Sequence, residues 1–332
     1  MDMTAASGAA STAVSAAARL RAAGAPRITG ELFLARGAVD RAARLRTDQP
    51  ALDRAWADPA TRVLPISDGK ALVIDGPTGT RLLLVAPEEA ATGTRVFLGL
   101  DADGVAYFAV GAAALSTPEK REPPRVAAVG LREVGSLLDP LGAGLFVHAA
   151  ALLNWHATHT HCPRCGAATV PVSGGHVRRC TVDGSEHFPR TDPAVIMAVL
   201  DRADRLLLGR QALWPQRRFS TLAGFVEPGE SLEMAVAREV VEEAGVVVEA
   251  VDYAGSQPWP FPASLMLGFY ARASSTDIDV DGVEIAEARW FTRAELADAI
   301  AAAEVLLPPQ VSIARRLIEG WYGGELGEPR AW

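Results

Sequence analysis

The hydrophobic residues of this chain change their spacing along its length, and each change marks a predicted segment. From Thr29 to about Leu115, short alternating or apolar runs such as RVLPIS, KALVI, TRLLLVA, TRVFLGL and VAYFAV are separated by Gly, Asp and Pro. Period-two runs between turn formers predict strands, so residues 29–125 are expected to form a β-rich N-terminal domain. After the polar stretch PEKREPPR, apolar residues recur at helical spacing through VGSLLDPLGAGLFVHAAALLNWHA, which predicts a helical linker over 126–158. From Asp192 onward AVIMAVLD, RLLLGR and FSTLAGFVE read as strands, and further strand and helix patterns follow up to VSIARRLIEGWY. That order predicts an α/β domain over 191–322. Residues 1–28, rich in Ala, Ser, Thr and Gly, are expected to be a flexible tail.

Composition narrows the class. A length of 332 residues suggests about two domains. With 49% hydrophobic and 22% charged residues, the chain can bury a substantial core and wholesale disorder is disfavoured. A formal charge of −8 argues against a broad nucleic-acid-binding surface, while leaving room for a local basic patch. No apolar run reaches the roughly 18 residues that suggest a membrane span. The N-terminus lacks a basic region followed by a true hydrophobic core, so no signal peptide is expected.

The three cysteines lie between positions 162 and 180, and an odd count does not suit a secreted disulfide framework. A reducing, cytoplasmic interior with a metal role fits better. In HCPRCGAATVPVSGGHVRRCTVDGSEHFPR, Cys162-x2-Cys165-Gly is a knuckle in which two thiolates can reach one ion, and Cys180 follows at zinc-ribbon distance. Residues 159–190 are therefore expected to form a zinc-ribbon-like module with structural Zn²⁺. A complete ribbon would offer a fourth cysteine where this chain has Asp183; Asp183 or His187 can complete the set, or the fold can persist with the metal lost. His148, His156 and His159 are expected at packing or surface positions rather than as ligands.

The densest chemistry lies at 224–246, GFVEPGESLEMAVAREVVEEAGV. Gly224 and Gly229 permit unusual backbone conformations or close approach, Ser231 is placed to cap a helix, and Gly245 to end it. At 100° per residue, Met234, Ala237, Val241 and Ala244 are expected to face the core, with Glu239, Glu242 and Glu243 roughly opposite. Several hard carboxylate ligands suit Mg²⁺ or Mn²⁺. An isolated E-x2-E-E is usually a solvated face, but Gly224, Glu230, Arg238 and Gly245 add fixed positions in register. Downstream, Ser256-Gln257-Pro258-Trp259-Pro260-Phe261-Pro262 is expected to be a stiff, partly extended loop able to hold an aromatic ring against a flat ligand.

The 224–246 stretch resembles the Nudix box, the catalytic loop and helix of hydrolases acting on nucleoside diphosphates linked to another group. SQPWPFPxS beyond such a box resembles the sequence that marks the NADH pyrophosphatase, or NudC-like, group. That group also has an N-terminal domain, a cysteine ribbon and a Tyr/Phe-Pro pair before the Nudix domain, here Phe188-Pro189. The resemblance implies an α+β and α/β architecture: a β-rich N-terminal domain, a small ribbon module and a C-terminal Nudix α/β/α sandwich. It implies a homodimer that uses Mg²⁺ or Mn²⁺ to hydrolyse the diphosphate of NADH or NAD to NMN(H) and AMP; decapping of NAD-capped RNA by the same chemistry, or a non-catalytic nucleotide sensor, are the alternatives. By the same resemblance, Glu239, Glu242, Glu243 and Glu287 hold the catalytic metal. Phe225 stacks on adenine, Phe188 reaches the partner's site, and Ala314 offers a backbone contact to the base. Ser256, Gln257, Trp259, Phe261 and Ser264 belong to the substrate-selective loop, while Glu230 and Arg238 lock the box loop to its helix.

Overall fold

The structure, a computed structural model, describes residues 26–76, 79–115, 125–280 and 282–327. They group into two compact units: 33–191 with 258–263, and 192–257 with 264–327 and residues 26–32. Residues 1–25 of the expected tail lie outside the described residues. No helix among those described is long and apolar enough to cross a membrane.

In the first unit, helix α1 (Gln49–Ala57) precedes strands β1 (Arg62–Ser67), β2 (Lys70–Gly76), β3 (Gly79–Leu82), β4 (Thr94–Leu100), β5 (Ala106–Gly111) and β6 (Arg125–Gly130). They form one sheet in the order β3-β2-β1-β5-β4, with β6 along β2 and only the β1–β5 pair parallel among those central pairs. Its apolar runs bury Val63, Phe97, Phe108 and Val110 together with Leu52 of α1. The short helix α2 (Leu131–Val134) and the long helix α3 (Pro140–Thr158) follow. Residues 126–130, expected as the start of a helical linker, are instead strand: Val126 and Ala127 pair with Ile74 and Val73. An available strand edge overrides a short helical pattern. Helix α3 begins where Asp139 accepts a hydrogen bond from Gly142 N–H at 2.6 Å and Pro140 fixes the first turn. Strands β7 (Thr169–Val172), β8 (Val177–Cys180) and β9 (Glu186–His187) make the small antiparallel sheet of the ribbon.

The second unit is built on β10 (Asp192–Leu200), β11 (Leu206–Gln211), β12 (Leu222–Phe225), β13 (Val248–Trp259), β14 (Ser264–Ala273) and β15 (Ile285–Phe291), with helices α4 (Leu232–Ala244), α5 (Arg293–Ala301) and α6 (Ile313–Tyr322). The sheet runs β13-β14-β10-β11-β15, β12 also pairs with β10, and β10 and β14 are parallel. β10 is apolar at nearly every position because both its faces are covered. Val195, Met197 and Val199 pack beneath α4 with Val236, Val240 and Ala244, while Ile196, Ala198 and Leu200 pack beneath α5 and α6 with Leu296, Leu317 and Trp321. Each buried Val, Ile, Leu or Met among them contributes about 1.5–3 kcal/mol by leaving water. Ile28 and Leu32 join the α6 side of this core. The result is the α/β/α sandwich expected for 191–322.

Candidate functional site

Helix α4 is fixed at both ends by the residues its sequence offered. Ser231 Oγ accepts from Met234 N–H at 3.3 Å, and Gly245 closes the helix at φ 68°. Its buried stripe differs from the expected one. Met234 and Val241 are exposed, whereas Ala235, Val236, Val240, Glu243 and Ala244 are buried. The helix lies against the sheet on one flank and the 224–230 loop on another, so the wheel is rotated. Glu243 consequently faces inward at 3% exposure rather than sharing an open acidic face.

Arg238 organises the carboxylates. It donates through Nε and Nη2 to the two oxygens of Glu230, each at 2.9 Å, and through Nη1 to Glu239 at 2.8 Å and Glu242 at 2.9 Å. Nη2 also donates to the Phe225 carbonyl at 2.9 Å, tying α4 to the end of β12. The bidentate Arg238–Glu230 pair is the expected loop-to-helix lock. Glu239 lies over the backbone of β12 so closely that a Cβ on Gly224 would overlap its carboxylate. Burial, reinforced by Glu242 and Glu284, raises the Glu239 carboxyl above its ordinary range despite Arg238. Glu230 is held below its ordinary range, first by the Arg238 hydrogen bonds. The cluster thus retains more negative charge than its one guanidinium relieves, and its donors are hard oxygens; both features suit a divalent cation. Among the described residues, the group of three or more ligand atoms gathered closely enough to hold a metal is the cysteine cluster, and the α4 carboxylates are not part of it.

Glu287 stands on β15 opposite Arg210, with Arg210 Nε to its Oε2 at 3.4 Å. Phe225 ends β12 and is 60% exposed. Ala314 is buried in the first turn of α6, where its N–H donates to Ser312 Oγ at 3.2 Å. The SQPWPFP segment begins as strand rather than loop, because β13 extends to Trp259. Ser256 is half-buried on that strand and Ser264 is half-buried at the start of β14, paired with Asp192. Gln257 is sealed from solvent and donates from Nε2 to the Val311 carbonyl at 2.6 Å, so its amide serves as an anchor within the sheet unit.

Trp259 and Phe261 belong to the other unit. Their rings meet edge to face at 5.0 Å, and the Arg132 guanidinium lies over both, 4.3 Å from the Phe261 centroid and 5.5 Å from that of Trp259. Phe188, in that same unit, is 66% exposed. Sequence reasoning missed Arg132 and Arg210, whereas at Gly224 the close approach is one of the two possibilities its glycine left open. Arg132 is more than 120 positions from the rings it covers.

In the ribbon, Cys162, Cys165, Cys180 and Asp183 bring one ligand atom each within 4.8 Å of one another. Thiolates around a tetrahedral zinc at ~2.3 Å lie about 3.8 Å apart, and Cys165 and Cys180 Sγ are separated by 3.5 Å. Backbone N–H groups of Arg164 and Val182 point at Cys162 and Cys180 sulfurs, each at 3.4 Å. The Ser185 hydroxyl and nearby amides bring the Cys162 thiol down to about 6, and Ser185 holds the Asp183 carboxyl at about 2. Both groups are thus ready as anionic ligands, and the donor set fits zinc. His187, the other candidate, lies behind Ser185, with Nε2 3.2 Å from its Oγ.

Three family models match the chain: a NUDIX domain over residues 190–309, an NADH pyrophosphatase-like rudimentary NUDIX domain over 60–155, and an NADH pyrophosphatase zinc ribbon domain over 157–188. Among its relatives, the NAD-capped RNA hydrolase NudC of Mycobacterium bovis (strain BCG / Pasteur 1173P2) is 45% identical over 302 residues, which cover 87% of this chain and 94% of that protein. The protein of that name from Mycobacterium tuberculosis (strain ATCC 25618 / H37Rv) is 44% identical over the same shares. The NAD-capped RNA hydrolase NUDT12 of Homo sapiens is 40% identical over 238 residues, 65% of this chain and 50% of that protein. With all three modules in order and this identity across nearly the whole of a relative, the chain belongs to the NADH pyrophosphatase (NudC-like) family of Nudix hydrolases.

Proposed function

We propose that the chain hydrolyses the diphosphate of NADH or NAD to NMN(H) and AMP, with Mg²⁺ or Mn²⁺ as the catalytic ion. The observation that carries this reading is the carboxylate cluster of α4: Glu239 drawn onto the Gly224 backbone, Glu242 beside it, and both joined to Glu230 by Arg238. Glu239, Glu242, Glu243 and Glu287 would hold the divalent ions. Such ions, when bound, neutralise diphosphate oxygens and acidify a water. The protein's own part is positioning. Arg238 sets the angle of the glutamates against β12, and the exposed Phe225 ring at the end of that strand offers a face for adenine. Attack of water on phosphorus forms one P–O bond as the bridging P–O bond breaks, releasing AMP and the mononucleotide. In the same reading the chain works as a homodimer, and the exposed Phe188 ring reaches into the partner's site.

Purified protein incubated with NADH and Mn²⁺ should release AMP; its absence would leave decapping of NAD-capped RNA or a nucleotide-sensing role. Replacing Glu242 or Glu243 by Gln should lower kcat at least about 100-fold, the loss of ~2.7 kcal/mol of transition-state stabilisation, with the thermal unfolding midpoint nearly unchanged. Near-normal turnover in both variants would overturn the assignment.

Decapping of NAD-capped RNA is the second reading, favoured by the names of the relatives above. The net charge of −8 favours the small dinucleotide. The ratio of kcat/KM for NADH to that for an NAD-capped oligoribonucleotide decides between them.

A further inference from the structure

The turn between β13 and β14 is reached by two directional side-chain contacts. Its residues 258–263 group with the first unit, where one side of the turn is open: Pro260, Phe261 and Pro262 line a cleft of about 800 Å³ together with Arg132 and Asn154. A turn seated on packed core is fixed by many small contacts and survives the loss of one. Pro260 is buried, while the open side of this turn meets two directional contacts. Arg132, on the short helix α2, lies over the Phe261 and Trp259 rings at 4.3 and 5.5 Å. Asn154, on α3, donates from Nδ2 to the Pro262 carbonyl at 3.1 Å. Arg132 itself is exposed, so its removal opens no core cavity.

We propose that Arg132 and Asn154 are positioning residues, through which the N-terminal part of the chain sets the shape of the Trp259–Pro262 turn and thereby the selectivity for NAD(H) over other nucleoside diphosphates. This rests on the NAD(H) reading above. The guanidinium is the more important of the two, since its positive charge lies over both rings at once, an attraction that a neutral side chain of similar length does not supply.

The turn offers its own probe. Pro258, Pro260 and Pro262 have no amide hydrogen, so exchange here is read at Trp259, where β13 ends, and at Phe261; the Phe261 N–H donates to the Trp259 carbonyl at 2.7 Å. In full-length protein, Arg132→Gln and Asn154→Ala should speed exchange at these two amides by about tenfold, the scale of one lost contact of this kind, while Arg132→Lys remains near the wild type. In parallel, Arg132→Gln should raise KM for NADH about tenfold with kcat within about twofold. It should also lower the preference for NADH over ADP-ribose, which keeps the diphosphate but lacks nicotinamide; Arg132→Lys should restore most of both. Unchanged exchange overturns the positioning role. Faster exchange with an unchanged preference overturns the link to selectivity, and a uniform rise in exchange across the chain reduces both residues to fold support. Wild-type protein that leaves NADH intact would overturn the function proposed above and the selectivity, while the exchange data would still decide the positioning.

Discussion

One methyl group at position 224 measures how closely the acidic helix is drawn onto β12. A Cβ there would overlap the Glu239 carboxylate, and the carboxylate is already bound to Arg238. It therefore has to swing away, taking with it the oxygen that the proposed reaction needs near the diphosphate. A displacement of about 1 Å can cost around 100-fold in rate. Gly224→Ala is expected to lower kcat/KM for NADH by that order, with a thermal midpoint close to the wild type because no buried apolar group is lost. Activity within a few fold of wild type would show that Glu239 works elsewhere than in its present place. At this scale the sequence was informative about identity and poor about geometry. The spacing marked Gly224, Glu230, Arg238 and the glutamates. It did not show that Arg238 spans three carboxylates and a carbonyl, since such bridging depends on where the 224–230 loop folds back.

At the scale of elements, the caps of α4 and the strands of both sheets were legible because they rest on local rules, whereas the buried face of α4 was not. A helix covered on two flanks has a buried arc wider than its apolar stripe, and the arc takes in Glu243 while leaving Met234 outside. Helix α3 shows the same dependence on neighbours. Its His148 and His156 are buried, as expected for packing, but what they pack against comes from the ribbon. His156 Nδ1 accepts from Arg178 at 2.9 Å, so its Nε2–H donates to the Gly175 carbonyl at 2.7 Å. His148 lies 5.3 Å from the ring of His176, whose Nε2 bonds the Phe97 carbonyl at 2.8 Å. Burial lowers all three rings, His148 to about 3 and His176 to about 4, with nearby arginines adding to the effect. They are thus neutral in the folded chain at pH values where the unfolded chain, with an ordinary value of about 6.5, binds a proton. The stability is present above that pH and is lost as pH falls toward the folded values, with each histidine contributing up to about 1.4 kcal/mol per pH unit. Urea unfolding at pH 7.5, 6 and 5 should show this slope. His148→Gln should flatten it while leaving the zinc ligands untouched, and equal slopes for both proteins would exclude His148 as a source.

Across the whole molecule, the sequence placed the β-rich region, the ribbon and the box in their order, because each has its own local signature. It did not show that the turn 258–263 groups with residues 33–191, a partition set by contacts such as Arg132 to Phe261 that join positions far apart in the chain. Nor can one chain display what its exposed Phe188 ring covers. If that ring completes the site of a second copy, a two-fold dimer has each active site made from one copy's glutamates and the other copy's Phe188. Phe188→Ala should then depress turnover of NADH, and so should Glu243→Gln, each as a homodimer. Unfolding and refolding the two variants together in equal amounts produces mixed dimers as about half of the population, by random pairing. In each mixed dimer, one site receives an intact Glu243 from one copy and an intact Phe188 from the other, while its companion site has neither. About one quarter of all sites is therefore whole, and the refolded mixture should regain about a quarter of wild-type activity, where the same variants mixed without unfolding gain little at first. Recovery no greater than the mean of the two separate variants would mean that Phe188 serves the site of its own chain or none.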